Sequence, residues 1–316
     1  MPSGGSVREI KNRMSAVANT AKVTKAMELV SASKMRKAQQ KALDSRPYAE
    51  MMRDILVRML QSIDVDNFEA NPMLAKNSSD KVGIIHITPD RGLVGGLNSN
   101  MNKKSSAFIL EKQESEIDVS LITLGTKGRD FFARSGYSIN ASYEMNELPE
   151  EITIAKIIAE KASADFISGE VGELYIGYQK FISNAKQEAT IKKLLPINKD
   201  LVAISEEKPS TKQYLIEPDV NSVLEVLLPK VVLTQILEAI LESTASEHTA
   251  RMVAMHQATE AAEEMVSELN LTYNKARQEM ITGELLDIVG GTAAISNDYF
   301  KFKKISLKAN STLLTF

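Results

Sequence analysis

The sequence predicts an α/β protein with long helices, in which an antiparallel coiled coil of the N- and C-terminal helices accompanies a central Rossmann-like α/β domain. The first observation is where glycine is missing. None of the fifteen glycines lies within residues 6–82 or 178–282, whereas ten lie within 83–177. Glycine destabilises a helix interior by about 1 kcal/mol relative to alanine. We therefore expect a long helix at each end of the chain and a turn-rich domain between them.

The second observation is the spacing of apolar residues at the two ends, which alternates between three and four. The series comprises Val7, Ile10, Met14, Val17 and Ala21 near the N-terminus, and Leu241, Ala245, His248, Met252, Met255, Thr259, Ala262, Val266, Leu269, Tyr273, Ala276 and Met280 near the C-terminus. This alternation is typical of a left-handed coiled coil. Because a compact domain joins the two helices, we expect them to pair in antiparallel orientation.

Within the N-terminal helix, local signals predict a start, a change of register and an interruption. Ser6 and Glu9 have the spacing of a capping box, so Ser6 is the expected N-cap. Beyond Thr24 the apolar spacing weakens, and we expect Met27 and Val30 to carry the contacts. Proline in a helix interior removes a hydrogen bond, so Pro47 should kink or interrupt the helix. The pattern then resumes at Met51, Ile55, Met59 and Ile63.

The third observation is an alternation of strand-like and helix-like segments in the middle of the chain. Apolar runs at 82–88, 119–124 and 174–178 predict buried strands, and helical patterns cover 98–113, 129–134 and 154–167. Segments 190–195 and 213–216 should add antiparallel strands, with a polar connector at 198–212. Alternating strands and helices favour a mostly parallel sheet.

These segments divide the chain into four parts. They are an N-terminal coiled-coil helix (1–65), a central α/β domain (75–217), a C-terminal coiled-coil helix (219–295) and a tail (296–316). The tail combines four lysines with aromatic residues, and we expect it to be largely disordered in the isolated protein.

Composition excludes several classes of function. The chain has no cysteine, which excludes disulfides, thiolate metal sites and cysteine nucleophiles. It has no apolar run long enough to span a membrane, and its start lacks the apolar core of a signal peptide, so we expect a soluble intracellular protein. The net charge of −3 hides an asymmetry: residues 6–46 hold ten bases and three acids, and residues 236–288 hold three bases and ten acids. These are either two solvated helix faces or complementary charges that leave a basic surface for an acidic partner.

The individual motifs give no positive case for catalysis. The turn at 89–98 lies where a phosphate-binding turn would lie, but it matches neither the dinucleotide fingerprint nor the P-loop, so a tight strand-to-helix turn is preferred. His86 and His248 are expected to be packed and His256 exposed. No carboxylates have the spacing of a metal loop or an acid–base pair. Residues 7–46 contain no aromatic side chain for stacking on bases, which disfavours nucleic-acid binding.

Four segments of the sequence closely resemble the γ subunit of F-type ATP synthases. They are 10–38, which ends in VTKAMELVSASKMRKA; 90–98, DRGLVGGLN; 247–255, EHTARMVAM; and 273–285, YNKARQEMITGEL. The similarity runs from Val7 to Ile295. It implies a non-catalytic rotor shaft, one copy per complex, whose terminal helices insert into a ring of three α and three β subunits. The foot domain would contact the ε subunit and the c ring.

The same resemblance implies which residues touch partners. Met27, Lys25, Lys34, Arg36, Arg277, Gln278, Thr282 and Glu284 would contact the β subunit, and Tyr214 would contact ε or the c ring. It implies no catalytic residue, cofactor, metal or nucleic acid. The shaft would regulate ATPase activity and proton flow, and would lie at the cytoplasmic face of the cell membrane, attached only through the complex.

The sequence departs from the family pattern in three places. Gly283 stands where the family usually has glutamine, Val94 replaces a common cysteine, and the chain continues for twenty-one residues beyond Ile295. Two alternatives therefore stay open beside the rotor. One is a structural coiled-coil adaptor that shares the ancestry but not the motor, and the other is an independent enzyme that uses the α/β domain.

Overall fold

The computed structural model describes residues 4–62, 71–145, 150–197, 216–217 and 219–312. Within these ranges the chain forms five α-helices and five strands. In chain order they are α1 (Gly4–Ser62), β1 (Val82–Ile87), α2 (Leu97–Glu114), β2 (Val119–Leu124), α3 (Thr126–Arg134), β3 (Ile139–Tyr143), α4 (Glu151–Ile167), β4 (Glu173–Phe181), β5 (Gln187–Leu195) and α5 (Val220–Thr312). The strand–helix alternation and the two long terminal helices agree with the predicted fold class.

The chain divides into two compact units. The sheet unit comprises residues 27–255, and the terminal unit comprises residues 1–26 together with 256–316. Helices α1 and α5 each contribute residues to both units.

The sheet unit is built on one five-stranded sheet with the order β3-β2-β1-β4-β5. Strands β3, β2, β1 and β4 are parallel, and β5 pairs with β4 in antiparallel orientation. All six residues of β1 are buried, as expected for a central strand covered on both faces. The predicted parallel sheet and the predicted antiparallel strand at 190–195 are confirmed.

Two apolar cores cover the two faces of this sheet. The larger core joins strand residues such as Ile85 to α4, to the second half of α1 and to the first half of α5. The smaller core joins Ile84, on the opposite face of β1, to Ile109 of α2 and Phe132 of α3. Because successive strand residues point to opposite faces, β1 contributes to both cores. The sheet unit is therefore a helix–sheet–helix sandwich.

The terminal unit is a pair of helical segments, and its contacts confirm the predicted antiparallel seam. The hydroxyl oxygens of Thr24 and Thr259 lie 2.7 Å apart in a buried contact. Antiparallel pairing from this contact sets Ala21 opposite Ala262 and Val7 opposite Ala276. All six of these residues are buried, whereas most of their neighbours on both helices are exposed. Small seam residues of this kind allow two helices to approach closely.

The expected change of register beyond Thr24 is wrong. In the sheet unit the three–four alternation of α1 continues through Ser31, Met35 and Ala38, all buried, while Val30 is 56% exposed. Ser31 can be buried because its hydroxyl donates to the backbone oxygen of Met27 at 2.7 Å, which satisfies its polar group within the helix.

The later half of α1 also differs from the prediction. The helix runs through Pro47 without interruption and buries Met52, Leu56 and Met59, whereas Met51 is 64% exposed. Proline has no N–H to donate to the carbonyl of Leu43, one turn earlier. Pro47 and Leu43 are both exposed, so water can satisfy this carbonyl. The alternation therefore continues in one register from Val7 to Met59. Ile63 lies outside the described residues.

Several element boundaries need correction. Helix α1 begins at Gly4, so Ser6 lies inside the helix and is not its N-cap. Strand β3 was not expected, and α5 begins at Val220 and continues to Thr312. Over 296–312 the structure therefore differs from the disorder expected for the tail, because this stretch contains no glycine or proline to end the helix. The expected strand at 213–216 and the connector at 198–212 fall almost entirely outside the described residues.

None of the described helices is apolar and long enough to cross a membrane.

Candidate partner-contact surfaces

The glycine-rich turn between β1 and α2 is a tight, internally braced connection, as expected. The Asp90 carboxylate accepts a hydrogen bond from the Thr126 backbone N–H at 3.0 Å, and the Asp90 backbone oxygen accepts one from the Thr126 hydroxyl at 2.7 Å. Leu93 has a φ of 61°, which is rare for a residue with a side chain, and is 61% exposed. Gly95 also has a positive φ, of 57°. The turn therefore presents an apolar side chain to the outside.

Arg251 of α5 connects the C-terminal helix to this turn. Its guanidinium donates to the Gly92 backbone oxygen through Nε at 3.4 Å and Nη2 at 3.3 Å. It also donates to the Glu247 carboxylate at 2.8 Å, and Arg251 is only 8% exposed. Arg251 thus joins two segments that are 159 residues apart in sequence.

Burial controls the charges in this cluster. It raises the pKa of the Glu247 carboxyl, and the positive charges of Arg251 and Lys34 oppose that rise. Burial, together with the positive charges of Arg251 and Lys34, lowers the pKa of His248 to about 4. His248 is therefore neutral at physiological pH. Both ionisable groups depend on Arg251, which makes this arginine the central residue of the cluster.

Three of the predicted contact residues lie in the sheet unit. Met27 is half-buried, whereas Lys34 and Arg36 are exposed. Lys34 lies close enough to the cluster of Glu247 and His248 to affect their pKa values. The basic surface predicted for α1 is therefore accessible here, beside a seam that buries Ser31 and Met35.

The other predicted contact residues lie in the terminal unit, at two separate positions along the helix pair. Lys25 is exposed next to the buried Thr24, near the Thr24–Thr259 contact. Arg277 and Gln278 follow the buried Ala276, about 27 Å further along α5 at 1.5 Å per residue. The set therefore forms two groups in this unit, one around Lys25 and one beginning at Arg277.

The group that begins at Arg277 is a polar, exposed stretch of helix. Arg277, Gln278, Thr282 and Glu284 are all exposed, and the Thr282 hydroxyl donates to the Gln278 backbone oxygen at 2.9 Å. The side-chain amide of Gln278 and the guanidinium of Arg277 remain available on the surface. Tyr214, the predicted contact of the foot, lies outside the described residues.

Nothing in the described part of the chain resembles a catalytic centre. His86 donates from Nε2 to the Asn102 side-chain oxygen at 3.0 Å, and its Nδ1 accepts from the Ser105 hydroxyl at 2.9 Å. All three are buried, and His86 and Ser105 are fully enclosed, so no substrate reaches this serine. Burial lowers the pKa of His86 to about 4, as for a packed, neutral histidine.

The described residues do not group into a metal site, and the cavity between α1, β5 and α5 is too small for a nucleotide. The described residues contain no group of His, Cys, Asp or Glu that could hold a metal ion. A cavity between α1, β5 and α5 has a volume of about 30 Å³, far below the several hundred Å³ typical of ligand pockets. The packed His86 and the exposed His256, which lies 3.4 Å from Glu260, match their predictions.

Sequence reasoning missed the Glu247–Arg251 pair as part of a site. One signal was present in the sequence. A glutamate and an arginine four residues apart, one on either side of His248, have the spacing of an ion pair on a helix. Its burial against Gly92 could not be read from the sequence, because the turn is distant along the chain.

A family model described as ATP synthase matches residues 6–295. The "ATP synthase gamma chain" of Dehalococcoides mccartyi strain ATCC BAA-2100 is 41% identical over 294 residues, which cover 92% of this chain and 99% of that protein. The protein of the same name from Chloroflexus aurantiacus strain ATCC 29366 is 41% identical over 300 residues, covering 94% and 100%.

Solved structures with the same fold come from mitochondrial ATP synthases. A chain of the Euglena gracilis OSCP/F1/c-ring structure in rotational state 3 has a TM-score of 0.62 at 21% identity, covering 93% of this chain and 95% of that one. A chain of the Tetrahymena thermophila central stalk/c-ring structure has a TM-score of 0.58 at 21% identity, covering 75% and 99%. Both agree with the pair of long helices and the α/β sheet.

Proposed function

Because this chain belongs to the γ-subunit family of ATP synthases, we propose that it is the central rotor shaft of a proton-translocating F-type ATP synthase. It transmits rotation of a membrane c ring to catalytic β subunits and thereby couples proton flow to ATP synthesis or hydrolysis. The observation that carries the proposal is the 41% identity to named γ chains over 92% of the chain.

The antiparallel helix pair explains how one chain can drive three catalytic subunits. A single asymmetric shaft cannot present the same surface to three equivalent neighbours, so each neighbour meets a different face. A neighbour's conformational equilibrium then depends on which face it meets. Shifting such an equilibrium from 1:99 to 99:1 requires about 5.5 kcal/mol of differential interaction, which calls for an extended surface. The many exposed side chains of α1 and α5 form such a surface.

We assign the exposed charged and polar residues of the shaft, together with the half-buried Met27, to contacts with β. In the terminal unit these are Lys25, Arg277, Gln278, Thr282 and Glu284, and in the sheet unit they are Met27, Lys34 and Arg36. A basic surface suits an acidic loop, and the amide of Gln278 suits a backbone carbonyl. Tyr214 is assigned to ε or the c ring from the resemblance alone.

The remaining properties follow from this role. The chain is a subunit of a rotary ATPase complex, and we infer that it is non-catalytic on its own, needs no cofactor and contributes one copy per complex. Three α and three β subunits, ε and the c ring are its partners. Its place is the cytoplasmic face of the cell membrane, where it is held through the complex. Through its β contacts it regulates ATPase activity and proton flow.

Reconstitution tests the proposal. The chain is combined with α and β subunits from the same organism, and ATPase activity is measured for wild type, for the double variant Arg277→Ala/Gln278→Ala and for a control, Ser267→Ala/Asn270→Ala. The control changes exposed polar residues of the same helix. We expect an active complex, unchanged by the control and slowed about tenfold by the double variant, because it loses a charge-assisted hydrogen bond.

Two outcomes would overturn the proposal. One is a wild-type chain that fails to assemble with α and β, which would favour the adaptor. The other is ATP turnover by the chain alone, which would favour the independent enzyme. Loss of activity in the control to the same extent as in the double variant would reject the assigned contacts only.

A further inference from the structure

The backbone of Gln179 lies beyond the end of the neighbouring strand, so its polar groups need partners from elsewhere. Gln179 belongs to β4 and is 2% exposed. Strand β1 ends at Ile87, and the last residue of β4 that pairs with β1 is Gly177. On the opposite edge of β4, Gln179 pairs with Ala189 of β5. On the β1 side, the N–H and carbonyl of Gln179 therefore have no strand to pair with. Buried backbone groups without partners are strongly unfavourable.

Two serines of α5 supply the missing partners. The Gln179 N–H donates to the Ser243 hydroxyl oxygen at 3.1 Å, and the Ser246 hydroxyl donates to the Gln179 carbonyl at 3.2 Å. Ser243 is 3% exposed and Ser246 is fully buried. Residues three apart lie on the same face of a helix. The two hydroxyls thus replace one acceptor and one donor of an adjacent strand.

The side chain of Gln179 adds a third connection. Its amide Nε2 donates to the Leu97 backbone oxygen at 2.8 Å, at the point where the glycine-rich turn enters α2. We call these four residues, Gln179, Ser243, Ser246 and Leu97, the Gln179 clamp. The clamp joins a central strand, the C-terminal helix and the turn, all within the sheet unit.

The positions beside the serines make this arrangement specific for one rotation of the helix. At 100° per residue, Glu242 and Glu247 lie about 70° to either side of the serine pair. Turning α5 about its axis in either direction would move a carboxylate towards β4 and would leave Gln179 without its partners. A carboxylate in the place of the two hydroxyls has no proton to donate to the Gln179 carbonyl. Ser243 and Ser246 themselves bury little apolar area, so they add directional hydrogen bonds to the apolar packing of Ile240 one turn earlier.

We propose that the Gln179 clamp is the positioning device that locks α5 rotationally to the sheet, so that turning the sheet unit turns the helix without slippage. This inference rests on the proposed rotor function. A rotor whose shaft helix can slip about its own axis would hydrolyse ATP without delivering the full rotation. All four residues of the clamp are buried, so they act through the helix and not by direct contact with ATP or the β subunit.

The test measures coupling in the complete, membrane-reconstituted ATP synthase. The double variant Ser243→Ala/Ser246→Ala removes both hydroxyls. Its matched control, Thr234→Val/Thr249→Val, removes two buried hydroxyls of the same helix whose bonds go to their own helix, at Lys230 and Ala245. The readout is the number of protons pumped per ATP hydrolysed, together with amide exchange at Gln179 in the isolated chain.

We expect the double variant to pump roughly half as many protons per ATP or fewer, and its Gln179 amide to exchange about tenfold faster, because a directional hydrogen bond is lost. The control should keep the wild-type ratio even where its thermal unfolding midpoint falls as far. A wild-type ratio in the double variant would overturn the inference. If the double variant does not assemble, the single variants decide, and wild-type ratios in both would overturn it. A wild-type chain that supports no pumping would instead reject the rotor function.

Discussion

The hydroxyl oxygens of Thr24 and Thr259 lie 2.7 Å apart, in a buried contact between the two ends of the chain. The Thr24 hydroxyl also lies 3.0 Å from the Ala21 backbone oxygen, to which it can donate. Either hydroxyl of the pair can donate to the other. This polar contact fixes the register of a seam otherwise made of small and apolar residues, which by themselves would tolerate a shift.

Thr259→Val tests the contribution of this pair, since valine keeps the shape and removes one of the two hydroxyls. We expect the free energy of unfolding of the isolated chain to fall by about 1 kcal/mol, the usual net value of one hydrogen bond. Urea unfolding measures it. The control is Thr20→Val, because the Thr20 hydroxyl is exposed and bonds only to Ala16 of its own helix, at 3.1 Å. Equal losses for the two variants would show that the contact does not set the register.

His86 makes the stability of the sheet unit depend on pH. Its pKa is about 4 in the folded chain and near 6.5 when unfolded, so between these values the unfolded chain binds the proton and the folded chain does not. The contribution of His86 to the free energy of unfolding is therefore fully present above pH 6.5. It falls by roughly 1.4 kcal/mol per pH unit as the pH drops towards 4.

Unfolding in urea at several pH values between 7 and 4.5 measures this slope. His86→Gln keeps a donor and an acceptor for Asn102 and Ser105 but cannot titrate, so its slope should be shallower. His248, also with a pKa of about 4, contributes to the slope in the same direction. His256→Gln is the control, because His256 is exposed. An unchanged slope in His86→Gln would contradict the assignment.

Arg251→Met should destabilise the chain by about 3 kcal/mol, because it leaves the Glu247 carboxylate buried without its partner. It also removes the two donors to Gly92. Arg277→Met, on the same helix but exposed, should change stability by less than about 0.5 kcal/mol. Denaturant unfolding compares the two. Stability within error of the control would mean that Arg251 is not the central residue of its cluster.

Gly283→Ala should strengthen the distal part of α5. A Cβ at Gly283 would meet no atom within 4 Å, and alanine is favoured over glycine in a helix by about 1 kcal/mol. Amide exchange of the adjacent turns in the isolated chain should slow by about fivefold, while Glu279→Ala, an exposed residue one turn earlier, should leave it unchanged. Faster exchange in Gly283→Ala would show that Gly283 is required by the backbone.

The repeated spacing and the apolar strands were predictable because they depend on neighbouring residues alone. The seam of α5 and strands β1 and β2 follow directly from such patterns. Strand β3 was missed although its half-buried and exposed positions alternate strictly, because it is a five-residue edge strand with Asn, Ala and Ser at its centre, which have low strand propensity. Ser31 was missed for a related reason, since burial of a serine depends on a hydrogen bond within its own helix.

Arg277 and Gln278 are exposed on a regular helix, and their contact with a partner, which the family resemblance implies, stays a prediction. The contacts of Arg251 with Gly92 and of Ser243 with Gln179 join residues 159 and 64 positions apart. No local pattern contains such pairings, because they arise only when the sheet and the helix have packed together.

Direct observation of rotation is the most direct test of the rotor function. The chain has no cysteine, so Asn184→Cys, in the exposed turn after β4, provides one site for attaching a bead. The α and β subunits are fixed to a surface and ATP is added. The rotor function predicts that the bead turns in one direction, pausing at each third of a turn, as three equivalent catalytic subunits require. A complex that hydrolyses ATP while the bead stays still or moves at random would contradict it.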